Sequence, residues 1–270
     1  MDIGVSSVGF ITQNITKLNS MRSGIYILIQ KPLKTFKISD LTCSAFLRTY
    51  TESSSARRLK KSMKACVDGR GTGFKGAEFK KSTYLNLVKY ESLDQIAAAK
   101  SLGSLSYIDE SRIGIWGWSF GGHMAAQCLL TGEEVFSMAI AVAPVTNWRF
   151  YDTIYTERFM GLPKNNSDGY DSNSPLNFAH LLEGDYLLIH GSADDNVHLQ
   201  NTMRMVEELI QEDKQFEWMI YPDKNHGIYG GNTSIHLYNK MTTFIEAVAR
   251  SNSIDGRVLE KRYGDVQKKS

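Results

Sequence analysis

Three residue types that together make an acyl-transfer centre, a serine, a carboxylate and a histidine, occur in this chain where each could act. Ser119 sits in Gly117-Trp118-Ser119-Phe120-Gly121, between the apolar run "RIGIWGW" and the helical run "GHMAAQCLL". A strand, a tight turn and a helix, with glycines two residues either side of the serine, is the setting a nucleophile elbow requires. The turn forces the serine into a strained backbone conformation and lifts its Oγ above the sheet. It also brings the Phe120 N–H to the start of the helix, where an oxyanion would sit. A serine hydroxyl is a weak nucleophile without a base. Downstream, "DYLLIHGSADDNVHL" reads as a strand running into Asp194 and Asp195, and "FEWMIYPDKNHGIYG" as a strand running into His226. Both emerge from the carboxyl ends of strands, the rim where open parallel sheets build their sites. Spacing does not separate the adjacent Asp194 and Asp195.

The other five histidines have plainer readings. His123 lies one turn into the helix after Ser119 and points along it. His190 precedes a glycine at a strand end and reads as structural. His198 opens a helix, and His180 and His236 sit in polar or helical contexts. The three cysteines, Cys43, Cys66 and Cys128, form no CxxC pair and no disulfide framework. Cys128, inside an apolar helical run, reads as a small buried hydrophobe. Acyl transfer by serine needs no metal or cofactor, and none is expected.

The elements that must position these residues are legible from about Cys66 onward. Helical patterns occur at "SLDQIAAAKSLG", "GHMAAQCLL", "LQNTMRMVEELIQE" and "SIHLYNKMTTFIEAVA". Short apolar runs occur at "RIGIWGW", "SMAIAVAP", "DYLLIHG" and "FEWMIYP". Continuous apolar runs bounded by Gly, Pro and Asp are what strands buried on both faces look like. Their alternation with helices predicts an α/β fold, a mostly parallel sheet with helices on both faces. Residues 1–65 lack this order: "IYILIQ" could form a strand, but the stretch from Lys31 to Ala65 shows neither alternation nor a sustained helical face. The domain reading is a divergent, poorly ordered segment over 1–65, a catalytic domain over 66–250, and a polar tail over 251–270.

With 270 residues and 42% apolar content, the chain can bury a real core. A net charge of +2 suggests no nucleic-acid or membrane surface. No run approaches a transmembrane span. The opening residues lack a basic region followed by a long apolar core, so the chain as written is expected in the cytoplasm.

Taken together, "CVDGRGTGFKG", "IGIWGWSFGGHMA", "IAVAPVTNWRFYDTIYTERFMGLP", "YLLIHGSADDNVHLQ" and "YPDKNHGI" resemble the dipeptidyl peptidase IV type of catalytic domain. That domain belongs to the prolyl oligopeptidase family of serine peptidases and has an α/β-hydrolase fold. The resemblance runs from about Cys66 to Ala249. It implies Ser119 as nucleophile, His226 as general base and acid, and Asp194 rather than Asp195 as the carboxylate that orients the histidine. It implies the Phe120 N–H as an oxyanion donor. Asn196 is implied to bind the substrate carbonyl, with Val145, Trp148, Tyr151, Tyr155 and Val197 walling a pocket for a penultimate proline or alanine. Compact, apolar proline lacks an N–H and suits aromatic walls. The implied partners are a peptide substrate and a second copy bound through the C-terminal helix. For the intact parent the resemblance implies export, with a periplasmic location in bacteria.

Two departures matter. Family members carry a β-propeller that clamps the peptide's amino terminus, and 65 residues could not encode it. The family also has an apolar strand and a Tyr-x-Gly-Pro segment before "CVDGRGTG", whose tyrosine is the second oxyanion donor. Here Tyr26 and Tyr50 are present without that motif, and the run into Cys66 reads "KKSMKA". Losing one oxyanion donor costs about 10²–10³ in turnover. The sheet is therefore expected to be incomplete at its N-terminal strands. Three functional readings remain open: a serine peptidase cleaving after penultimate proline or alanine, an inactive fragment that keeps the triad residues, or a general hydrolase acting on esters. The abrupt change of pattern near Cys66 is what an out-of-frame first segment produces. Translating the other two frames of the upstream DNA is expected to yield an apolar strand followed by Tyr-x-Gly-Pro. If neither frame contains it, the segment is a degenerate N-terminus.

Overall fold

The computed structural model describes residues 24–29, 44–49, 62–106 and 108–251. Seven strands make one sheet: β1 (Gly24–Ile29), β2 (Ser44–Thr49), β3 (Ser62–Asp68), β4 (Ile108–Trp118), β5 (Met138–Val142), β6 (Asp185–Gly191) and β7 (Glu217–Tyr221). Their spatial order is β2-β3-β1-β4-β5-β6-β7. The helices are α1 (Ala77–Lys81), α2 (Lys89–Gly103), α3 (Phe120–Thr131), α4 (Thr153–Met160), α5 (Ser167–Asp171), α6 (Gln200–Gln211) and α7 (Thr233–Ser251).

From β4 to β7 every pairing is parallel, as the alternation of strands and helices predicts. On the other side of β4 the pairings are antiparallel, β4 to β1, β1 to β3 and β3 to β2. These antiparallel strands occupy the side of the sheet that the sequence leads one to expect incomplete. The remainder of 1–65 lies outside the described residues, as do Tyr50 and the tail after residue 251. The run "SMKACVD" escapes a search for continuous apolar strands because it alternates. Ala65 and Val67 are buried, at 3% and 1% exposure, while Cys66 between them is half-buried. Period-two alternation is the mark of a strand with one face on the core.

Each central strand splits its side chains between two layers. Ala139 and Ala141 of β5 and Tyr186 and Leu188 of β6 face the core shared with α2, α3 and α6. Met138, Ile140 and Val142, with Leu187 and Ile189, face the core shared with α7. The apolar residues Leu237, Met241, Phe244, Ile245 and Val248 of α7 are taken up by that core. On the opposite layer, small residues let α3 lie close to β5. A side chain at Gly122 would meet the Val142 carbonyl at 2.9 Å and Pro144 at 3.0 Å.

The loop after β3 is pinned to α2. The Arg70 N–H donates to Asp94 Oδ2 at 2.7 Å, and its guanidinium grips the same carboxylate at 2.6 Å while lying 4.6 Å over the Tyr90 ring. Beside this pair, Glu91 in the first turn of α2 is 2% exposed, and neither carboxylate oxygen has a hydrogen-bond partner. Burial pushes its carboxyl up to about 8. The N–H dipoles of Glu91 and Val88 and the Arg70 charge offset only part of this, and Asp94 adds to it.

In the unfolded chain Glu91 ionises near its ordinary 4.5. Between that value and about 8 the folded state holds the extra proton, so stability falls as pH rises, by a few kcal/mol in total. The variant Glu91→Gln lacks this loss. The urea-unfolding difference between Glu91→Gln and the wild type is expected to grow in the variant's favour from pH 5 to pH 9. A difference independent of pH would mean that the carboxyl is not buried in this way.

Candidate active site

The elbow comes directly from the end of β4. Ser119 has φ 61° and ψ −120°, in the left-handed region that a side chain rarely enters. Three contacts hold it there. The Ser119 N–H donates to the Val142 carbonyl of β5 at 2.8 Å, and the His123 N–H donates to the Ser119 carbonyl at 3.1 Å. Gly117 passes so close to Gly121 that a Cβ on Gly117 would overlap the Gly121 carbonyl. Phe120 opens α3, so its N–H belongs to the helix's first, unpaired turn.

The His226 loop lies beside the elbow because the loops after β6 and β7 are laced together. The Ser192 N–H donates to the Tyr221 carbonyl at 2.9 Å and the Ala193 N–H to the Lys224 carbonyl at 3.0 Å. The Asp223 N–H donates to Ser192 Oγ at 2.8 Å. Gly191 must be glycine, because a Cβ there would overlap the Lys224 carbonyl. The result is a 2.7 Å hydrogen bond between His226 Nδ1 and Asp194 Oδ2. The Trp118 indole N–H then donates to the His226 carbonyl at 2.8 Å, which ties the histidine loop to the residue next to Ser119.

Of the two adjacent aspartates, Asp194 is buried and Asp195 is exposed. Asp194 Oδ1 accepts the N–H groups of Asn196 at 3.0 Å and Val197 at 2.9 Å. Burial works to raise the Asp194 carboxyl. The hydrogen bonds from His190 and His226, the His226 charge and the Asn196 N–H outweigh it and hold the carboxyl far below the ordinary carboxylate range. Asp194 is therefore an ionised acceptor at any ordinary pH.

The aromatic residues of "NWRFYDTIY" come together beside the elbow. Trp148 stacks on Tyr155 at 5.8 Å between centroids, and Tyr151 meets both edge-on, at 6.0 and 5.4 Å. The Phe120 ring lies 5.7 Å from Trp148. Val145 and Val197, at 1% and 0% exposure, belong with Trp148 to the core that Tyr151 and Tyr155 pack against. The Tyr151 hydroxyl donates to Asn196 Oδ1 at 2.6 Å, joining the aromatic wall to the Asp194 loop. Burial, with the charges of Asp152 and Asp194, pushes the Tyr151 phenol up, so it stays a donor. A cavity of about 560 Å³ opens at this junction, lined among others by Tyr151, Asp152, Asp195 and Asn196. Among the described residues no cluster of three or more His, Cys, Asp or Glu could hold a metal ion.

Some of what builds the site is invisible in the motifs. Thr146 donates from its N–H to Asn201 Oδ1 at 2.9 Å, and Ser174 Oγ donates to the Thr146 carbonyl at 2.7 Å. The first of these buried bonds fixes the strap carrying Val145 and Trp148 to α6, and the second fixes it to the segment before Pro175. His123 is fully buried, with Nε2 3.1 Å from the Asn173 carbonyl and its ring 5.5 Å from Trp148; burial lowers its pKa to about 4. His198 is exposed, and His236 meets the Tyr221 hydroxyl at 2.8 Å. His190, which reads as structural in the sequence, lies with Nε2 3.2 Å from Asp194 Oδ2. Tyr26 falls on β1 opposite Gly114 of β4.

An elbow serine, a histidine on a buried aspartate and a cluster of aromatic rings, on an α/β sheet, are the parts from which a serine-hydrolase type of centre is built. The model of the prolyl oligopeptidase family matches residues 60–252, and the chain belongs to that family. It is 56% identical to the Porphyromonas gingivalis dipeptidyl peptidase 4 crystal structure, with a TM-score of 0.66 over 67% of this chain and 26% of that one. It is 45% identical to mouse prolyl endopeptidase FAP over 67% of this chain and 24% of the relative. It is 50% identical to Arthroderma benhamiae "Probable dipeptidyl-aminopeptidase B" over 60% of this chain and 18% of the relative. The matched region thus spans about a quarter or less of these proteins' own length.

The tight approach at Gly117 gives a direct check. Gly117→Ala is expected to lower stability by about 1–3 kcal/mol or more, because backbone must shift to admit the methyl group. A Cβ at Gly73 meets nothing within 4 Å, so Gly73→Ala is expected to stay within about 0.5 kcal/mol of wild type. Equal urea midpoints for the two variants would contradict the elbow geometry.

Proposed function

We propose that this domain is a serine peptidase of the dipeptidyl peptidase type, cleaving after a penultimate proline or alanine through an acyl-enzyme. The observation that carries the reading is the 2.7 Å bond from His226 Nδ1 to Asp194, on a loop tied by Trp118 to the elbow. With Nδ1 so occupied, His226 Nε2 is the ring nitrogen left to serve as base.

In this reading Ser119 Oγ attacks the carbonyl of the proline or alanine while His226 takes its proton. Asp194 stays ionised and stabilises the imidazolium. The Phe120 N–H and the positive end of α3 stabilise the oxyanion. His226 then protonates the departing amine, and a water activated by the same imidazole hydrolyses the ester on Ser119. Val145, Trp148, Tyr151, Tyr155 and Val197 hold the proline ring, and Asn196 donates from its side-chain amide to the substrate carbonyl. The Tyr151 hydroxyl on Asn196 Oδ1 leaves the Asn196 NH₂ as the group turned to the substrate.

Wild-type protein is expected to be labelled covalently by a fluorophosphonate probe, and Ser119→Ala to lose the label while keeping the same unfolding midpoint. Folded wild type that takes no label would remove the enzyme reading. On substrates, a glycyl-prolyl chromogenic amide is expected to turn over. Turnover of a simple ester with no amide cleavage would favour a general hydrolase instead.

A further inference from the structure

His190 occupies the penultimate position of β6 and is fully buried, yet both of its ring nitrogens are engaged. Nε2 is 2.7 Å from the Val197 carbonyl and 3.2 Å from Asp194 Oδ2. Nδ1 is 2.7 Å from Oγ1 of Thr202, itself fully buried on α6. A carbonyl and an ionised carboxylate can only accept, so Nε2 must carry a hydrogen. Thr202 can act as donor or acceptor and fits the ring from the far side.

The same contacts account for every side of Asp194. Oδ1 takes the two backbone N–H groups, and Oδ2 is shared by His226 and His190. Val197 is gripped at both ends of its backbone: its N–H goes to Asp194 and its carbonyl to His190. The other group that senses the Asp194 charge is the Tyr151 phenol of the pocket.

We propose that His190 is a positioning residue for the catalytic centre. Its Nε2–H, aligned by Thr202, shares Asp194 Oδ2 with His226 and so sets both the orientation and the effective charge of the carboxylate that His226 leans on. This rests on the triad reading above. Removing the donor leaves Asp194 Oδ2 to His226 alone. The undiluted carboxylate then holds the His226 imidazolium more firmly, so the free base appears only at higher pH. The loss also frees the Val197 carbonyl and loosens the pocket wall.

The test is the rate of fluorophosphonate labelling of Ser119 as a function of pH. Deleting a hydrogen bond to a charged group predicts a fall of about tenfold in His190→Leu. Its acid limb is expected to move up by roughly half a unit to one unit. Thr202→Val should shift the limb in the same direction by less. His190→Gln, which keeps a side-chain N–H, and Thr202→Ser, which keeps the hydroxyl, should recover most of the rate and the wild-type limb. A merely structural role would lower the labelled fraction equally at every pH. An unmoved limb in folded His190→Leu overturns the proposal. If that variant does not fold, an unmoved limb in Thr202→Val does so. In the unmodified chain, ¹⁵N-histidine spectra should show a protonated Nε2 on His190, assigned by its loss in His190→Gln or, should that variant not fold, by through-space contact with Thr202. A bare Nε2 overturns the proposal whether or not Ser119 is labelled. Failure of wild-type labelling, by contrast, strikes the triad reading and leaves the spectrum to decide on His190.

Discussion

A carboxylate buried as deeply as Asp194 is tolerable only if its oxygens are saturated with donors, because an unpaired buried charge costs several kcal/mol. Four groups do this: the N–H of Asn196, the N–H of Val197, and the rings of His226 and His190. Much of the site's layout derives from that requirement. The loop after β6 must fold back on itself so that two of its own N–H groups point at one oxygen. The loop after β7 must cross over Gly191 to deliver His226 to the other. That crossing brings the His226 loop beside the elbow, where the Trp118 indole ties down the His226 carbonyl.

The sheet divides the labour. Its parallel half, β4 to β7, ends along one rim, and the elbow, the Asp194 loop and the His226 loop all spring from that rim. The antiparallel half covers the other edge of β4, which would otherwise present unpaired backbone groups. Strain at Ser119 is tolerated because β5 and α3 hold the residue from both sides, through the Val142 carbonyl and the His123 N–H.

How much of this can be read from the sequence depends on what kind of signal each element leaves. Strands β5 and β6 and the second half of β4 are buried on both faces and so appear as unbroken apolar runs, while β7 at the sheet edge is apolar in sequence but partly exposed. The elbow glycines, and the order of serine, acid and histidine at strand ends, are equally plain. Strand β3 hides because Ala65 and Val67 are buried while Cys66 between them is only half-buried, so its pattern alternates instead of running on. Helix α4 hides inside an aromatic stretch whose spacing reads as pocket wall, and its start is marked only by the Asp152 side chain capping the Tyr155 N–H at 2.8 Å. Choosing Asp194 over Asp195 needs either a family likeness or the burial that only the fold reveals. His190 leaves the least trace. A histidine before a glycine at a strand end looks the same whether it fills a core or touches a carboxylate, and its partners Val197 and Thr202 become neighbours only when α6 docks.

In the proposed peptidase reading the pocket wall and the triad share parts, so they are not independent modules. Phe120 supplies an N–H at the start of α3 and a ring against Trp148. The Val197 side chain is buried in the core that Tyr151 and Tyr155 pack against, while its backbone N–H satisfies Asp194. Asn196 gives one N–H to the same carboxylate and its side-chain oxygen to Tyr151. In the same reading, a substrate ring that presses on Tyr151 pushes, through Asn196, on a group bonded to Asp194. In a packed interior such small displacements are transmitted rather than absorbed. In that reading, filling the pocket and orienting the carboxylate become one event, and a well-fitting ring raises the rate of the chemical step as well as the tightness of binding.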